Sequence, residues 1–331
     1  MNIRDISSLG AKAEEDLRAA GNSPRKLVLL HSGITVAVMT VLTLMNLLLQ
    51  LGIDDTAGLG GLGARAAMST MQTLLGYAIN IVLPFWEFGM AFVILGFARR
   101  QLVAPADLTL GFRNFGPVLR YQLLIWLMYF GIAMMLLYPL MNILLLTPLA
   151  NPIIELAVRW SAAGGAIDLG ELIGSSEFFL ALLPMLLAAM AVLALVLVPL
   201  AYRLKMGKFS LADDPKAGAM AAVRRSFRIT RGNSLALFKL DLHFWWYYLG
   251  LLLAAAVCYG DVILGYLGVP LPMSQEASYM LFYVLGLALQ LGLHCLALAR
   301  VQLTYAAGYD ALLGGFGRHE KQGFPASPWQ N

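Results

Sequence analysis

The sequence is short of charged residues. Aspartate, glutamate, lysine and arginine make up 13% of its 331 residues, whereas about 25% is usual in a soluble domain. Polar groups are therefore too few to cover the apolar surface of a folded chain of this size, which excludes an ordinary water-soluble globular protein. The formal net charge of +4 is also too small to indicate binding to nucleic acid.

Cysteine and histidine are scarce as well. The two cysteines, Cys258 and Cys295, are too few for a disulfide framework or a zinc motif. The four histidines lack metal-ligand spacing, and His294 directly precedes Cys295, which separates their side chains by about 100° on a helix. We therefore predict no metal site and no cofactor.

Sequence motifs for catalysis are also missing. The chain has no nucleophile elbow, no zinc-protease helix and no phosphate-binding glycine loop. A glycine cluster that begins at Gly58 is similar to a dinucleotide fingerprint, but no predicted strand precedes it. We predict no catalytic residue and expect a protein that is not an enzyme.

Long apolar runs are what the sequence does contain. Apolar residues make up 60% of the chain, and its mean hydropathy is +0.73. A helix needs about 20 apolar residues to cross the hydrocarbon core of a bilayer. Six runs are long enough, and they lie at residues 27–51, 67–98, 118–146, 178–202, 240–264 and 278–305. We predict an all-α, polytopic membrane protein with six transmembrane helices.

The basic residues fall on one side of these six spans. All but two of the 23 lysines and arginines lie in the termini or in the second and fourth loops; the exceptions are Arg65 and Arg159. The positive-inside rule then places both termini in the cytoplasm. We divide the chain into a cytoplasmic amphipathic helix within 1–26, a membrane domain at 27–313 and a disordered cytoplasmic tail at 314–331.

The fourth loop contains the most informative segment, an amphipathic elbow at 213–232. Asp214-Pro215 is a helix start, and Gly232-Asn233 is a left-handed helix stop. Between them lie four arginines that we expect to contact the lipid surface, although a soluble partner is an alternative; they are Arg224, Arg225, Arg228 and Arg231. An interfacial aromatic belt is predicted after the elbow, formed by Trp245, Trp246, Tyr247 and Tyr248.

Similar approaches precede spans one, three and five. Each has an arginine three or four residues before a glycine, followed by a basic and apolar entry into the span; the segments are DLRAAGNSPRKLVLL, GFRNFGPVLRYQLL and SFRITRGNSLALFKL. Two explanations stay open. One is a threefold repeat of an elbow and a transmembrane hairpin, and the other is independent convergence on the chemistry of membrane entry.

A few polar residues lie inside the predicted spans. Glu87 is about 12 residues from Arg99, or roughly 18 Å along a helix, which is near the middle of the bilayer. Gln290 and His294 are four residues apart and share a helix face in the last span. These three residues form a candidate polar site of a transport pathway, or each makes an interhelical hydrogen bond that joins the spans.

The elbow and both ends of the chain resemble one family. The resembling residues are Asp214-Pro215, Ala222, Ser226, Arg228, Gly232-Asn233 and FKLDLHF (238–244), with GAKAEEDLRAAGNSPRKLVLL (10–30) and YAAGYDAL (305–312). These segments are similar to an uncharacterised bacterial membrane family, "domain of unknown function 975". The run WWYY and a longer connection between spans five and six depart from its pattern. The resemblance implies a multi-span helical protein of the bacterial cytoplasmic membrane and no catalytic residue.

The sequence thus favours a non-enzymatic accessory or interaction component of that membrane. Its expected partners are lipids of the anionic inner leaflet and another membrane protein, with no nucleic acid. The alternative is a small-solute or lipid transporter that uses Glu87 and the polar residues of span six.

Overall fold

The structure is a computed structural model that describes residues 5–20, 23–54, 59–162, 176–266, 269 and 274–317. All regular elements within those residues are helices, and no strand occurs among them. The predicted all-α class is confirmed. The α-helices are α1 (Ile6–Ala19), α2 (Ser23–Asp54), α3 (Leu59–Ala98), α4 (Leu110–Arg113), α5 (Phe115–Leu145), α6 (Asn151–Ala162), α7 (Ser176–Leu204), α8 (Gly207–Asp213), α9 (Ala219–Thr230), α10 (Ser234–His243), α11 (Trp245–Cys258), α12 (Gly260–Tyr266), α13 (Gln275–Leu293) and α14 (Ala299–Gly317).

Shorter helical turns join some of these helices. Pro105–Thr109, Pro148–Ala150 and Pro215–Ala217 are 3₁₀ turns, and His294–Leu298 is a π turn between α13 and α14. Helix α14 ends at Gly317, so it includes the first four residues of the segment predicted as a tail. The rest of that segment, residues 318–331, lies outside the described residues.

The helices include five that are long and apolar enough to span a membrane, counted over the described residues. These segments are Ser23–Met45, Thr73–Ala98, Phe115–Leu145, Phe178–Asp213 and Ala277–Gly314. Helices α10 and α11 together form a sixth candidate, although they meet at an angle of 65°. The predicted six spans agree with this count when the bent pair is one span, but that span is broken at Phe244 rather than continuous.

The surfaces of these helices are apolar. In α5, no residue of the most apolar stretch is buried, and Trp126, Leu127 and Met135 are all more than half exposed. Contiguous apolar surface of this extent is rare on soluble monomers, because water solvates it poorly. Lipid therefore covers the helices, and the protein is a membrane protein.

The chain divides into two compact units. One unit comprises residues 121–205, and its core is formed where the end of α5 and its following turn pack on α7, through Leu144, Ala150, Met185 and Ala189. The other unit comprises residues 1–120 and 206–331. All the candidate site residues of the sequence lie in this second unit, which we call the main unit.

The main unit gathers several basic segments at one end, which we call the basic end. Helix α1 packs on α14, and Arg100 after α3 pairs with Glu15 of α1 at 2.6 Å. Helix α1 buries one face, formed by Leu9, Ala13, Asp16 and Leu17. The N-terminal helix, the second loop, the elbow and the last helix are thus neighbours in the fold.

The elbow begins and ends with the residues that the sequence indicated, but its start differs in detail. Asp214 accepts hydrogen bonds from the backbone N–H groups of Lys216 and Ala217 at 3.1 and 3.2 Å. This cap begins a 3₁₀ turn rather than α9, because Gly218 adopts a φ of +81° and interrupts the helix before Ala219. The stop is confirmed, since Gly232 has a φ of +77°.

Two of the three similar approaches end in the same way. The Asn114 side chain donates to the carbonyl of Leu110 at 2.9 Å, and the Asn233 side chain donates to the carbonyl of Ile229 at 3.4 Å. Each asparagine thus binds a carbonyl near the end of a short helix, immediately before a long one begins. The corresponding residue of the first approach, Asn22, lies outside the described residues.

Candidate functional site

A group of ionisable and aromatic side chains lies within the apolar part of the main unit. We call this group the polar cluster, and it consists of His31, Trp86, Glu87, Lys208 and His294. His31 of α2 stacks on Trp86 of α3 with ring centroids 5.1 Å apart and planes within 7°. The Trp86 indole donates a hydrogen bond to the His31 carbonyl at 3.3 Å. These contacts hold α2 against α3 one residue before Glu87.

Glu87 has a cationic neighbour that the sequence did not predict. Helix α8 packs along α3, so that Asp213 reaches Arg99 while Lys208 interacts electrostatically with Glu87. The Glu87 side chain is exposed on the surface of the unit, and that of Lys208 is half-buried. A carboxylate in an apolar span is far less costly when a cation lies near it.

His294 belongs to the same cluster, whereas Gln290 contributes only its backbone. His294 interacts electrostatically with His31, and its ring centroid lies 6.3 Å from that of Tyr247. The backbone N–H of His294 donates to the carbonyl of Gln290. Of the three residues that the sequence singled out, Glu87 and His294 are thus linked indirectly, because His31 interacts with His294 and with Lys208, the neighbour of Glu87. No hydrogen bond or ion pair among the described residues joins the Gln290 side chain to either.

Two ring nitrogens of the cluster have no hydrogen-bond partner. They are Nε2 of His31 and Nδ1 of His294, and both are buried. Buried polar atoms without a partner are uncommon in folded proteins. His294 also begins the π turn, an irregularity that is frequent at functional sites. The cluster therefore contains two positions for a polar ligand that the protein itself leaves unsatisfied.

A second group of charges holds the elbow in place at the basic end. Arg99 donates to Asp213 at 2.5 Å and to Asp310 at 2.9 Å, and Arg225 pairs with Asp213 at 3.1 Å. The Tyr309 hydroxyl donates to Asp213 at 3.2 Å. We call these five residues the elbow clamp, because they join α3, α8, α9 and α14.

The electrostatics of the clamp favour its charged form. Burial alone would lower the pKa of Arg99, but the hydrogen bonds and charges of Asp310 and Asp213 outweigh this effect and raise it above its usual range. Arg99 is therefore a permanent cation. Asp213 receives three donors, from Arg99, Arg225 and Tyr309, and is the centre of the clamp.

The four arginines of the elbow do not share one environment. Arg225 is half-buried, pairs with Asp213 and lies 5.9 Å from the centre of the Tyr309 ring. Arg224, Arg228 and Arg231 are exposed. The hydrophobic face of α9 is buried, with Ala222, Val223, Ser226 and Ile229 among its residues. Arg225 thus belongs to the clamp, and lipid contact by the other three arginines stays a prediction.

A family model described as "Protein of unknown function (DUF975)" matches residues 12–290. The chain belongs to the DUF975 family. Comparison with curated proteins and with solved structures finds no match. The match includes the elbow and most of the polar cluster, but it ends before His294. The segment YAAGYDAL (305–312) also lies beyond the matched residues, so the match does not test its resemblance to the family.

Four aromatic residues of this DUF975 protein were predicted to form an interfacial belt, but their side chains face different directions. Trp245, Trp246 and Tyr248 are exposed, whereas Tyr247 is 3% exposed and packs beside His294. Tyr248 donates or accepts a hydrogen bond with Tyr305 at 3.0 Å. Consecutive residues on a helix are about 100° apart, so four in a row cannot all face lipid.

Sequence reasoning missed both His31 and Lys208, two ionisable members of the cluster in this DUF975 protein, as well as Trp86. His31 has a signal that was available, because it is an ionisable residue only a few positions inside the first span. Lys208 has none, since its position beside Glu87 depends on how α8 packs on α3. Among the described residues, no three His, Cys, Asp or Glu side chains are grouped as a metal site.

Proposed function

We propose that this protein is a non-enzymatic component of the bacterial cytoplasmic membrane that acts by contacting anionic lipids through its elbow. One observation carries the proposal: the elbow clamp fixes α9 through Arg225, while Arg224, Arg228 and Arg231 stay exposed. An exposed basic face on a helix whose opposite face is buried is suited to the headgroup region of a membrane. The one-sided distribution of lysine and arginine supports a cytoplasmic location of this face and of both termini.

Charge reversal of the exposed arginines tests the proposal in the full chain. The variant Arg224→Glu, Arg228→Glu, Arg231→Glu is reconstituted in mixed phosphatidylglycerol and phosphatidylcholine, and the association of spin-labelled lipid is measured. Each basic residue near an anionic surface contributes about 1 kcal/mol, so the preference for phosphatidylglycerol should fall strongly. An unchanged preference for phosphatidylglycerol would disprove lipid contact by the elbow. Crosslinking from position 224 in native membranes would then identify a protein partner.

The polar cluster favours a second candidate function, the transport of a small solute or a lipid. Its supporting observation is the pair Glu87 and Lys208 near two histidines whose ring nitrogens lack partners. Charged groups paired within a span commonly mark the pathways of ions and substrates.

Transport is tested with Glu87→Gln in proteoliposomes loaded with candidate solutes. The substitution keeps the shape of the side chain but removes its charge, so flux through the wild type should be reduced in the variant. Gln290→Ala is a suitable control, since no hydrogen bond or ion pair joins its side chain to the described cluster residues. Equal flux through wild type and Glu87→Gln would exclude Glu87 from the pathway.

A further inference from the structure

A cavity of about 320 Å³ lies at the basic end, between α1, the start of α2 and the junction of the π turn with α14. The residues that line it are Glu14, Leu17, Arg18, Arg25, Leu296, Ala299 and Arg300. None of them belongs to the polar cluster or to the elbow clamp. The volume is in the range of sites for small molecules, roughly 300–1,000 Å³.

The charges of the cavity favour an anion. Three guanidinium groups face one carboxylate, and Glu14 holds two of them, Arg18 at 2.8 Å and Arg300 at 3.9 Å. Arg25 makes no ion pair with any residue that the structure describes. The lining therefore carries two more positive charges than negative ones, and it contains an arginine without an acidic partner. Planar guanidinium groups bind phosphate oxygens through paired hydrogen bonds.

The position of Arg25 adds to this preference. It lies in the first turn of α2, a helix of 32 residues whose N-terminal N–H groups carry partial positive charge. Helix N-termini bind phosphate groups for this reason. The cavity is thus lined by an arginine that comes from the positively polarised end of a long helix.

The other wall of the cavity is apolar. Leu17 is buried against α14, whereas Leu296, in the π turn, is 79% exposed. Arg25 and Arg300 lie within the apolar segments Ser23–Met45 and Ala277–Gly314, at the basic end of the unit. A ligand with a phosphate and an attached hydrocarbon chain matches both walls, since its chain would cover Leu296.

We propose that this cavity binds the phosphate of an anionic phospholipid headgroup. Arg25 and Arg300 donate to the phosphate oxygens, Glu14 orients Arg18 and Arg300, and Leu296 contacts the start of an acyl chain. The proposal rests on lipid contact as the function of the protein, but it uses none of the elbow arginines. Free phosphate shares the headgroup chemistry and lacks the hydrocarbon, so it serves as the competing source in the test.

The test uses the purified full chain in phosphatidylcholine nanodiscs, titrated with fluorescent phosphatidylglycerol. Arg25→Gln should weaken binding about tenfold or more, because one hydrogen bond to a charged group is lost. Arg113→Gln is the matched control, since Arg113 is exposed in α4 and does not line the cavity. It should weaken binding by less than about fivefold, the contribution of one charge near the surface.

A second arginine variant and competition by inorganic phosphate test the site and the identity of its ligand. Arg300→Gln is the second variant, and it should behave as Arg25→Gln does, with thermal stability measured for both to verify folding. Binding that is equal in Arg25→Gln, Arg300→Gln and Arg113→Gln would overturn the site. Full displacement of the lipid by millimolar inorganic phosphate would also overturn the lipid proposal, because the site would then belong to free phosphate.

The elbow variant distinguishes this proposal from the preceding one. If charge reversal at 224, 228 and 231 leaves the saturable binding intact while Arg25→Gln weakens it, the cavity stands independently of the elbow, and lipid contact by the elbow is then decided by the spin-label measurement alone. If the elbow variant abolishes saturable binding and the cavity variants do not, the cavity proposal is wrong.

Discussion

Single residues determine how closely the segment Pro105–Arg113 approaches α3. A Cβ atom added at Gly89 would lie 1.8 Å from the carbonyl oxygen of Leu108, and one added at Gly111 would lie 1.8 Å from that of Phe85. The backbones therefore touch at these two glycines, which hold the segment Pro105–Arg113 against the helix that carries Trp86 and Glu87. No larger residue fits at either position without displacing backbone.

Gly111→Ala should destabilise the protein by about 1–3 kcal/mol, because overpacking forces the backbone apart. The control is Gly116→Ala, at a helical position where an added Cβ meets no atom within 4 Å; alanine should stabilise the helix there by up to about 1 kcal/mol. Thermal unfolding in detergent, followed by tryptophan fluorescence, should give shifts of opposite sign. Equal shifts would contradict the close backbone contact.

A buried carboxyl group weakens the docking of α1. Asp16 is 3% exposed, its Oδ1 lies 3.7 Å from Arg100 Nε, and its Oδ2 is buried without a hydrogen-bond partner. Burial raises the pKa of Asp16, although Lys12 and Arg100 act in the opposite direction. A raised pKa in the folded state means that ionisation favours unfolding, and this penalty appears as pH rises above the ordinary aspartate pKa.

Asp16→Asn should therefore stabilise the protein at neutral pH. The gain should disappear at a pH below about 4, where the wild-type carboxyl is protonated in both folded and unfolded states. Apparent melting temperatures of the two proteins across this pH range measure the effect. Glu15→Gln is the control, since Glu15 is exposed in its pair with Arg100 and such pairs contribute about 1 kcal/mol or less. A gain for Asp16→Asn that persists in acid would contradict the account.

At the scale of elements, the elbow is the most constrained segment. Local signals were sufficient to predict its boundaries, because Asp214 caps its own neighbours and Gly232 needs only a positive φ. The break at Gly218 and the bend at Phe244 were not predictable in this way, since an ordinary glycine and a phenylalanine carry no specific signal for them. The environment of Arg225 depends on Asp213 of α8 and on Tyr309 of α14, and α14 is distant in sequence.

The clamp should account for much of the rigidity of the elbow. Asp213→Asn removes the acceptor charge shared by Arg99 and Arg225, and hydrogen bonds to charged groups contribute about 1.5–3 kcal/mol each. Hydrogen exchange in α9 should become faster, and the melting temperature should fall.

Asp214→Asn is the matched control for the clamp. It makes the same chemical change one residue away, and asparagine caps a helix about as well as aspartate. Its effect on exchange in α9 should be small. If the two variants behaved alike, the clamp would not be what holds the elbow.

At the scale of the whole molecule, composition was sufficient to predict the class. Lipid exposure follows from the length and apolarity of segments such as Phe115–Leu145, because no arrangement in water would cover them. The polar cluster was only partly predictable. Glu87 and His294 are conspicuous because ionisable residues are rare in spans, whereas Lys208, the cationic neighbour of Glu87, is brought in by tertiary packing.

The basic end should face the cytoplasm, with the chain crossing the membrane six times. Single cysteines introduced at Arg113, Glu155 and Arg224 report this arrangement in a background where Cys258 and Cys295 are replaced by alanine. Arg113 and Arg224 lie in elbow segments, and Glu155 lies in α6 between spans three and four. All three side chains are exposed, so labelling depends on the side of the membrane.

Labelling with a membrane-impermeant maleimide in intact bacterial cells with a permeabilised outer membrane is the most direct measurement of this arrangement. The account predicts that cysteine 155 reacts in such cells, whereas cysteines 113 and 224 react only after the inner membrane is opened. Labelling of both position 113 and position 155 in cells whose inner membrane is still closed would contradict it.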